Sequence, residues 1–250
     1  MKCLMFDLER GSQTLGGPDA IQELFGYPVL QPTTFDQFKK VIADLYTVQK
    51  AVYKTKIGNI DIDQEVLETI PKNGTQIDAL ILDTFSELSK KYQRSLVDKT
   101  GKMKMQDWGK LKNTLDMLLE FITRIPGVLV MNCHSKLRDL DDGTTKILPY
   151  IDGSTKEDIS KWFDFVFYTR TIDDPSGKVR YVWQTCHTEK YDHAKDRTAT
   201  LPAEIPQDFQ LVLNAAKEKG FASTKILVIG SPGSGKTWSL NTLVNKEVTK

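Results

Sequence analysis

The sequence predicts an α/β fold with a mostly parallel β-sheet flanked by helices. Apolar, β-prone runs alternate along the chain with helical patterns, and strands joined through helices are constrained to run parallel. The last of these runs leads directly into a glycine-rich loop and a helix start. Another ends abruptly in an acidic residue, Asp83.

The strand candidates are Cys3–Phe6, Ile77–Leu82, Val128–Asn132, Phe163–Thr169, Val179–Cys186 and Lys225–Ile229, each rich in aliphatic and aromatic residues and bounded by turn signals. Between them, Phe35, Phe38, Val41, Ile42 and Leu45 share one helical face, and Leu111, Leu115, Leu118, Leu119 and Ile122 share another. Thr171–Lys178 carries an Asp-Asp-Pro-Ser-Gly turn cluster between two β runs, which predicts an antiparallel hairpin at one sheet edge. Thr55–Gln76 and Ser135–Lys161 read as polar loops. No internal repeat and no Pro/Gly/Ser linker divides the 250 residues, so the expectation is a single domain spanning 1–250.

The strongest chemical signal lies near the C-terminus. Gly230, Ser231, Pro232, Gly233, Ser234, Gly235, Lys236 and Thr237 match the pattern G-x-x-x-x-G-K-[ST], followed by Trp238 at the start of a helical run. Glycines let the backbone wrap phosphate oxygens, and consecutive N–H groups at a helix N-terminus supply positive potential. Lys236 is expected to reach the terminal phosphates, and the Thr237 hydroxyl to ligate Mg²⁺. ATP with Mg²⁺ is the expected ligand pair, and the absence of an Asn-Lys-x-Asp run favours adenine over guanine.

Such a loop needs an acid at the end of a neighbouring strand. Asp83 closes Ala79–Leu82 and is the candidate metal-binding carboxylate; its other reading is as N-cap of the helix that follows. The first strand ends Phe6-Asp7-Leu8-Glu9, where a carboxylate would serve as general base toward an attacking water. Asp7 and Glu9 face the same way on a strand, so spacing does not choose between them; Glu9, nearer the end and longer, is the candidate. His134 follows the strand Val128–Asn132 and would hydrogen-bond a terminal phosphate, or be a histidine satisfied by a neighbour.

Composition narrows the classes. The formal net charge of +1 gives no global preference for nucleic acid or anionic lipid. Cys3, Cys133 and Cys186 are odd in number and widely spaced, which suits a reducing compartment and matches no zinc-site spacing. No apolar run reaches the length of a membrane span, and the N-terminal run is too short for a signal peptide. A soluble, cytoplasmic protein with no membrane partner is expected.

Taken with Phe6-Asp-Leu-Glu9, Leu80-Ile-Leu-Asp83-Thr-Phe-Ser-Glu-Leu, Gln106-Asp-Trp-Gly, Val130-Met-Asn-Cys-His134-Ser-Lys and Ala194-Lys195-Asp-Arg197, the phosphate loop resembles the RecA-like P-loop ATPases, in particular the phage-type family associated with single-strand annealing. The resemblance implies ATP hydrolysis with Glu9 as catalytic glutamate, Asp83 as Walker B acid and His134 as sensor. It also implies that Lys195 and Arg197 reach a neighbouring subunit's γ-phosphate, hence a homo-oligomer, ring or filament, in a bacterial host cell if the protein is phage-encoded. The motif order departs from the family's: there the P-loop strand comes first and the Glu strand follows, whereas here the Glu strand opens the chain and the P-loop closes it. Joining Val248-Thr-Lys250 to Lys2–Phe6 restores the family order, so the chain reads as a circular permutant. The rival reading, a truncated second domain beginning at Lys225, leaves that tail without a core of its own.

Single-stranded DNA is the partner implied. Lys90–Lys112 holds eight basic residues against Asp98 and Asp107, with Tyr92 and Trp108 among them, a composition that suits phosphates and bases or else a solvated lysine face. In RecA-like proteins the corresponding loops, here Ser95–Gly109 and Ser135–Lys161, contact DNA. From a different class, a nucleotide-gated binding module with little turnover also fits the same residues.

Overall fold

A computed structural model describes residues 1–173 and 177–244. The central elements are β1 (Cys3–Asp7), α1 (Pro18–Phe25), α2 (Phe35–Leu45), β2 (Tyr46–Ile57), β3 (Ile60–Pro71), β4 (Ala79–Asp83), α3 (Phe85–Leu96), α4 (Met105–Thr123), β5 (Val128–Asp139) and β6 (Thr145–Pro149). They continue with α5 (Thr155–Asp158), β7 (Phe165–Asp173), β8 (Val179–Gln184), β9 (Lys195–Asp196), β10 (Glu204–Pro206), α6 (Phe209–Glu218), β11 (Thr224–Gly230) and α7 (Lys236–Ser239).

The main sheet runs in the order β1-β4-β5-β11-β7-β8-β10. From β1 to β7 every neighbouring pair is parallel; β8 and β10 then add antiparallel to their neighbours. Strand β11, the last in sequence order among the described residues, is therefore an interior strand, paired along its full length to β5 and along Ile226–Ile229 to β7. Its residues are all buried, as expected of a strand with neighbours on both sides and helices above and below.

Alternate side chains on these strands enter two cores. Leu4, Phe6, Leu80, Leu82, Leu129, Met131, Leu227 and Ile229 pack under α2, α3 and α4. Cys3, Met5, Ala79, Ile81, Val130, Ile226 and Val228 pack on the opposite side with α1 and α6. A period of two on each strand thus yields a helix layer on each face. On the second side Trp183 lies between Phe167 and Phe209, with ring centroids 5.1 and 4.7 Å away.

Three sequence expectations change. Thr55–Gln76 is not a loop: much of it belongs to a two-stranded hairpin, β2 with β3, paired from Tyr46↔Pro71 to Ile57↔Ile60. Its alternation of polar and apolar residues is a strand signal that the high polarity hid. Ser135–Lys161 is likewise structured, because β5 continues to Asp139 and folds back antiparallel on β6. The hairpin β7–β8 exists as expected, but β10 lies outside it and forms the true edge. The chain join proposed at Val248–Lys250 lies outside the described residues. Among the described residues no helix is long and apolar enough to cross a membrane.

The aromatic stack under the P-loop strand sets a stability test. Replacing Phe209 with Ala is expected to lower unfolding free energy by about 3–5 kcal/mol, read from urea denaturation. A loss below about 1 kcal/mol would mean that the stack collapses to fill the space.

Candidate nucleotide site

Because β1, β4, β5, β11 and β7 run parallel, their carboxyl ends meet along one edge of the sheet, the usual place for a ligand crevice. Register sets Asp7 beside Asp83, Asp83 beside Asn132, and Gly230 beside His134. Residues distant in sequence thereby become neighbours.

The loop after β11 has the backbone of a phosphate cradle. Gly233 and Gly235 hold φ of 76° and 89°, in the left-handed region that favours glycine. A Cβ at Gly230 would lie 1.6 Å from Thr169 Oγ1, and one at Gly235 would lie 2.5 Å from Gln207 Oε1. The loop is tied down from outside: Thr169 Oγ1 donates to Ser234 Oγ at 2.6 Å, and Gln207 Nε2 donates to the Ser234 carbonyl at 2.9 Å. Lys236 is buried and donates to the carbonyls of Gly230 and Ser231, each at 2.8 Å. Burial depresses its pKa, with Asp83 and Glu9 working in the opposite direction.

Thr237 Oγ1 donates to Asp83 Oδ2 at 2.7 Å, and Asn132 Nδ2 donates to Asp83 Oδ1 at 3.0 Å. Asp83 is buried, and burial raises its pKa even though Thr237, Asn132 and Lys236 favour the charged form. Asp83 is not the cap of α3; Thr84 is, its hydroxyl accepting from the Glu87 N–H at 3.4 Å. Sequence reasoning passed over Thr84, although Thr84-Phe-Ser-Glu87 carries the capping-box pattern.

The two acids of the first strand take different tasks. Asp7 is buried and turned into its own loop, accepting from the N–H groups of Glu9, Gly11 and Ser12 at 3.2, 2.8 and 3.0 Å and from Gln31 at 3.1 Å. That network shapes the turn presenting Glu9. The Glu9 carboxylate lies 2.7 Å from His134 Nε2 through either oxygen and accepts from Thr84 Oγ1 at 2.7 Å. Burial pushes its pKa up, but the hydrogen bonds from His134 and Thr84, aided by the charge of Lys236, outweigh burial and hold it below the usual value. The His134 main-chain N–H donates to Ser86 Oγ at 2.9 Å, which fixes the strand end.

The donor set fits a magnesium ion held with a nucleotide. The residues suited to hold it are Thr237 and Asp83, facing a space in which a Cβ on Gly11 would sit 3.3 Å and 3.2 Å from their oxygens. Among the described residues no group of three or more His, Cys, Asp or Glu side chains forms a cage. Phosphate oxygens and waters would complete the shell, as is common for Mg²⁺. Nearby, Asn132 Oδ1 and His134 Nδ1 are buried with no hydrogen-bond partner among the described residues. Beside the loop opens a cavity of about 550 Å³ lined by Thr14, Val179, Tyr181, Gly233, Lys236 and Trp238. Val179 and Tyr181 carried no sequence signal, since only the antiparallel return of β8 brings them there.

Lys195 and Arg197 lie elsewhere. Strand β9 pairs with Phe165 and Val166 at the start of β7, the end of the sheet opposite the P-loop. Lys195 Nζ donates to the Ser160 carbonyl at 2.9 Å, and Arg197 pairs with Asp164 at 2.7 Å. Of the basic run, Tyr92 is not free to stack on a ligand: it packs on Phe35 at 4.4 Å between centroids and its hydroxyl meets Thr114 at 2.9 Å. Trp108 is exposed.

A family profile described as an AAA domain matches residues 1–198. The chain belongs to this AAA domain family. That makes it a nucleotide-binding P-loop protein of mixed α/β fold, and the matched segment ends before β11 and its phosphate loop. Neither the curated proteins nor the solved structures contain a match to it.

The buried Asp83 gives a pH-dependent test in the ligand-free protein. Its folded pKa is raised above the usual carboxylate range by burial, so the native state binds the proton more tightly than the unfolded chain and loses stability on ionisation as pH rises. Asp83→Asn, with the Asn132 amide turned to offer its free oxygen, is therefore expected to melt higher than the parent at neutral pH. The gain should appear as pH climbs above about 4 and level off beyond the raised value. Thermal melts across that range check the sign; a variant that melts lower at pH 7 would show that ionised Asp83 stabilises the empty site.

Proposed function

We propose that the protein is an ATPase of RecA-like type that binds and hydrolyses ATP at the end of its parallel sheet and works with single-stranded DNA in annealing, recombination or repair. The observation that carries the ATPase reading is the hydrogen bond from Thr237 to Asp83, which ties the phosphate loop at the chain's end to an acid in its first third.

In this reading Lys236 leaves the loop carbonyls it now contacts and donates to the β- and γ-phosphate oxygens. Bound magnesium would supply charge neutralisation between those phosphates. Glu9 accepts the proton of the attacking water; the His134 and Thr84 hydrogen bonds that lower its pKa keep it ionised but weaken it as a base, so the role needs nucleotide binding to draw those partners away. His134 shares Glu9's hydrogen bond and keeps its Nδ1 unpartnered among the described residues, so it can register the γ-phosphate while orienting the base. Val179, Tyr181 and Trp238 offer apolar and aromatic surface for the adenine.

We also read residues 1–250 as one circularly permuted domain. Two observations support this: the strand bearing the P-loop is last in the chain yet interior to the sheet, and the family match stops short of it. Lys195 and Arg197, at the far end of the sheet, serve a neighbouring copy's nucleotide in this account, with Arg197 half exposed.

For DNA, the supporting feature is the edge beyond His134. Lys90 and Lys136 place their ammonium groups 4.4 and 5.2 Å from the centre of the Tyr150 ring, and Tyr150 N–H donates to the His134 carbonyl. A phosphate chain crossing this edge would meet Lys136, two residues along β5 from the proposed sensor.

Isothermal titration and steady-state phosphate release test the chemistry. Lys236→Ala is expected to abolish ATP binding; Glu9→Gln is expected to keep binding while hydrolysis falls by about 10²–10⁴-fold. Normal turnover in Glu9→Gln would remove Glu9 as the base, and tight binding without turnover in the parent protein would favour a nucleotide-gated switch. Single-stranded DNA is expected to stimulate hydrolysis by the parent protein and much less by Lys136→Glu, with basal turnover unchanged. Equal rates with and without DNA would remove DNA as the partner.

A further inference from the structure

The hairpin β2–β3 stands apart from everything the nucleotide site requires. It forms a sheet of its own, twelve residues on each strand, with residues 52–65 all exposed. At about 3.4 Å per residue the ribbon is about 40 Å long. An isolated two-stranded ribbon is marginal in water, because its faces bury little and both edges keep unpaired N–H and C=O groups.

Its two faces differ. Directly opposed residues share a face, so Tyr53, Ile57, Ile60 and Ile62 lie together on one side, all exposed. The other side carries charges sorted by strand, Lys50, Lys54 and Lys56 on β2 and Glu65, Asp63 and Asp61 on β3, with exposed Val48, Val52 and Leu67 among them. Lys50 and Glu65 form an ion pair at 2.9 Å. With Glu68 added, the acids of the ribbon outnumber its lysines, which argues against nucleic acid or an anionic lipid surface as the partner.

We propose that this ribbon is an assembly arm whose partner is the same ribbon of a second copy of the chain, joined edge to edge and head to tail. Because β2 and β3 run in opposite directions, the β3 edge of one copy meets the β2 edge of the next antiparallel, with its acid row beside the neighbour's lysine row. Antiparallel two-fold pairing of like edges would instead set lysines against lysines or acids against acids, which is unfavourable. Head-to-tail contact extends the sheet from copy to copy, satisfies the open backbone groups, and sets the apolar faces side by side. It generates a closed ring or an open filament rather than a two-fold dimer. This inference goes beyond the nucleotide reading and does not rest on it.

Light scattering on the full chain and on a shortened form tests the arm. In the short form an Asn-Gly turn replaces residues 51–66 and joins Lys50 to its register partner Leu67. Without nucleotide, so that no contact across a bound nucleotide contributes, the parent chain is expected to show masses at multiples of its 28.3 kDa, and the short form is expected to lose them while keeping the parent's melting transition. A sixfold charge exchange, K50E/K54E/K56E with D61K/D63K/E65K, preserves the pairing inside the ribbon. Tagged exchanged chains are expected to capture exchanged chains and not the parent. A monomeric parent at all concentrations, an unchanged mass in the short form, or capture of the parent by the exchanged chain would each overturn the proposal, the last by favouring two-fold pairing.

Discussion

The structure depends on the insertion of β11 between β5 and β7. That strand is wholly apolar in its interior run, Ile226–Ile229, and its burial on both faces is what holds Thr224–Gly230 in the middle of the sheet. Everything chemical follows from the pairing: Gly230 sits beside His134, Thr237 reaches Asp83, and Lys236 comes under the influence of both Asp83 and Glu9. A phosphate loop displaced from this sheet would still have its glycines and its lysine, but Thr237 would lose Asp83 and Lys236 would lose the nearby Asp83 and Glu9 carboxylates.

Placing Asp83, Glu9 and Lys236 in one pocket has an energetic cost, visible in opposite pKa shifts. Burial raises Asp83 and lowers Lys236, so each group is pushed toward neutrality by its surroundings and back toward charge by its neighbours. Asp7 shows the contrasting solution. Its carboxylate is buried too, yet its oxygens are spent on loop N–H groups and Gln31, which makes it a structural anchor for the turn that carries Glu9. Two acids two residues apart on one strand are thereby sorted by their partners, not by their chemistry.

Much of this was legible in the sequence. The parallel core strands, α2, α4 and the strand–loop–helix around Gly230 announce themselves by periodicity and by glycine spacing, and Asp83 by its place at a strand end. What escaped depends on tertiary contacts. The division between Asp7 and Glu9 needs the fold of the loop; Tyr181 reaches the cavity only through the return of β8; Tyr92, promising as a stacking surface, is claimed by Phe35 and Thr114. The part of the β2–β3 ribbon within Thr55–Gln76 reads as a loop because only Ile60-Asp-Ile-Asp63 alternates cleanly, and a two-stranded ribbon outside the main sheet has no core to give it an apolar run.

In the proposed reading the loop after β11 forms one phosphate and metal site with the acids that end β1 and β4. Crystals grown with Mn²⁺ and a non-hydrolysable ATP analogue test it most directly, through the anomalous signal of the metal. One metal peak is expected between the phosphates and the Thr237 hydroxyl, on the Asp83 side, with Glu9 facing the γ-phosphate. A triphosphate bound elsewhere, or a metal peak remote from Thr237 and Asp83, would contradict it.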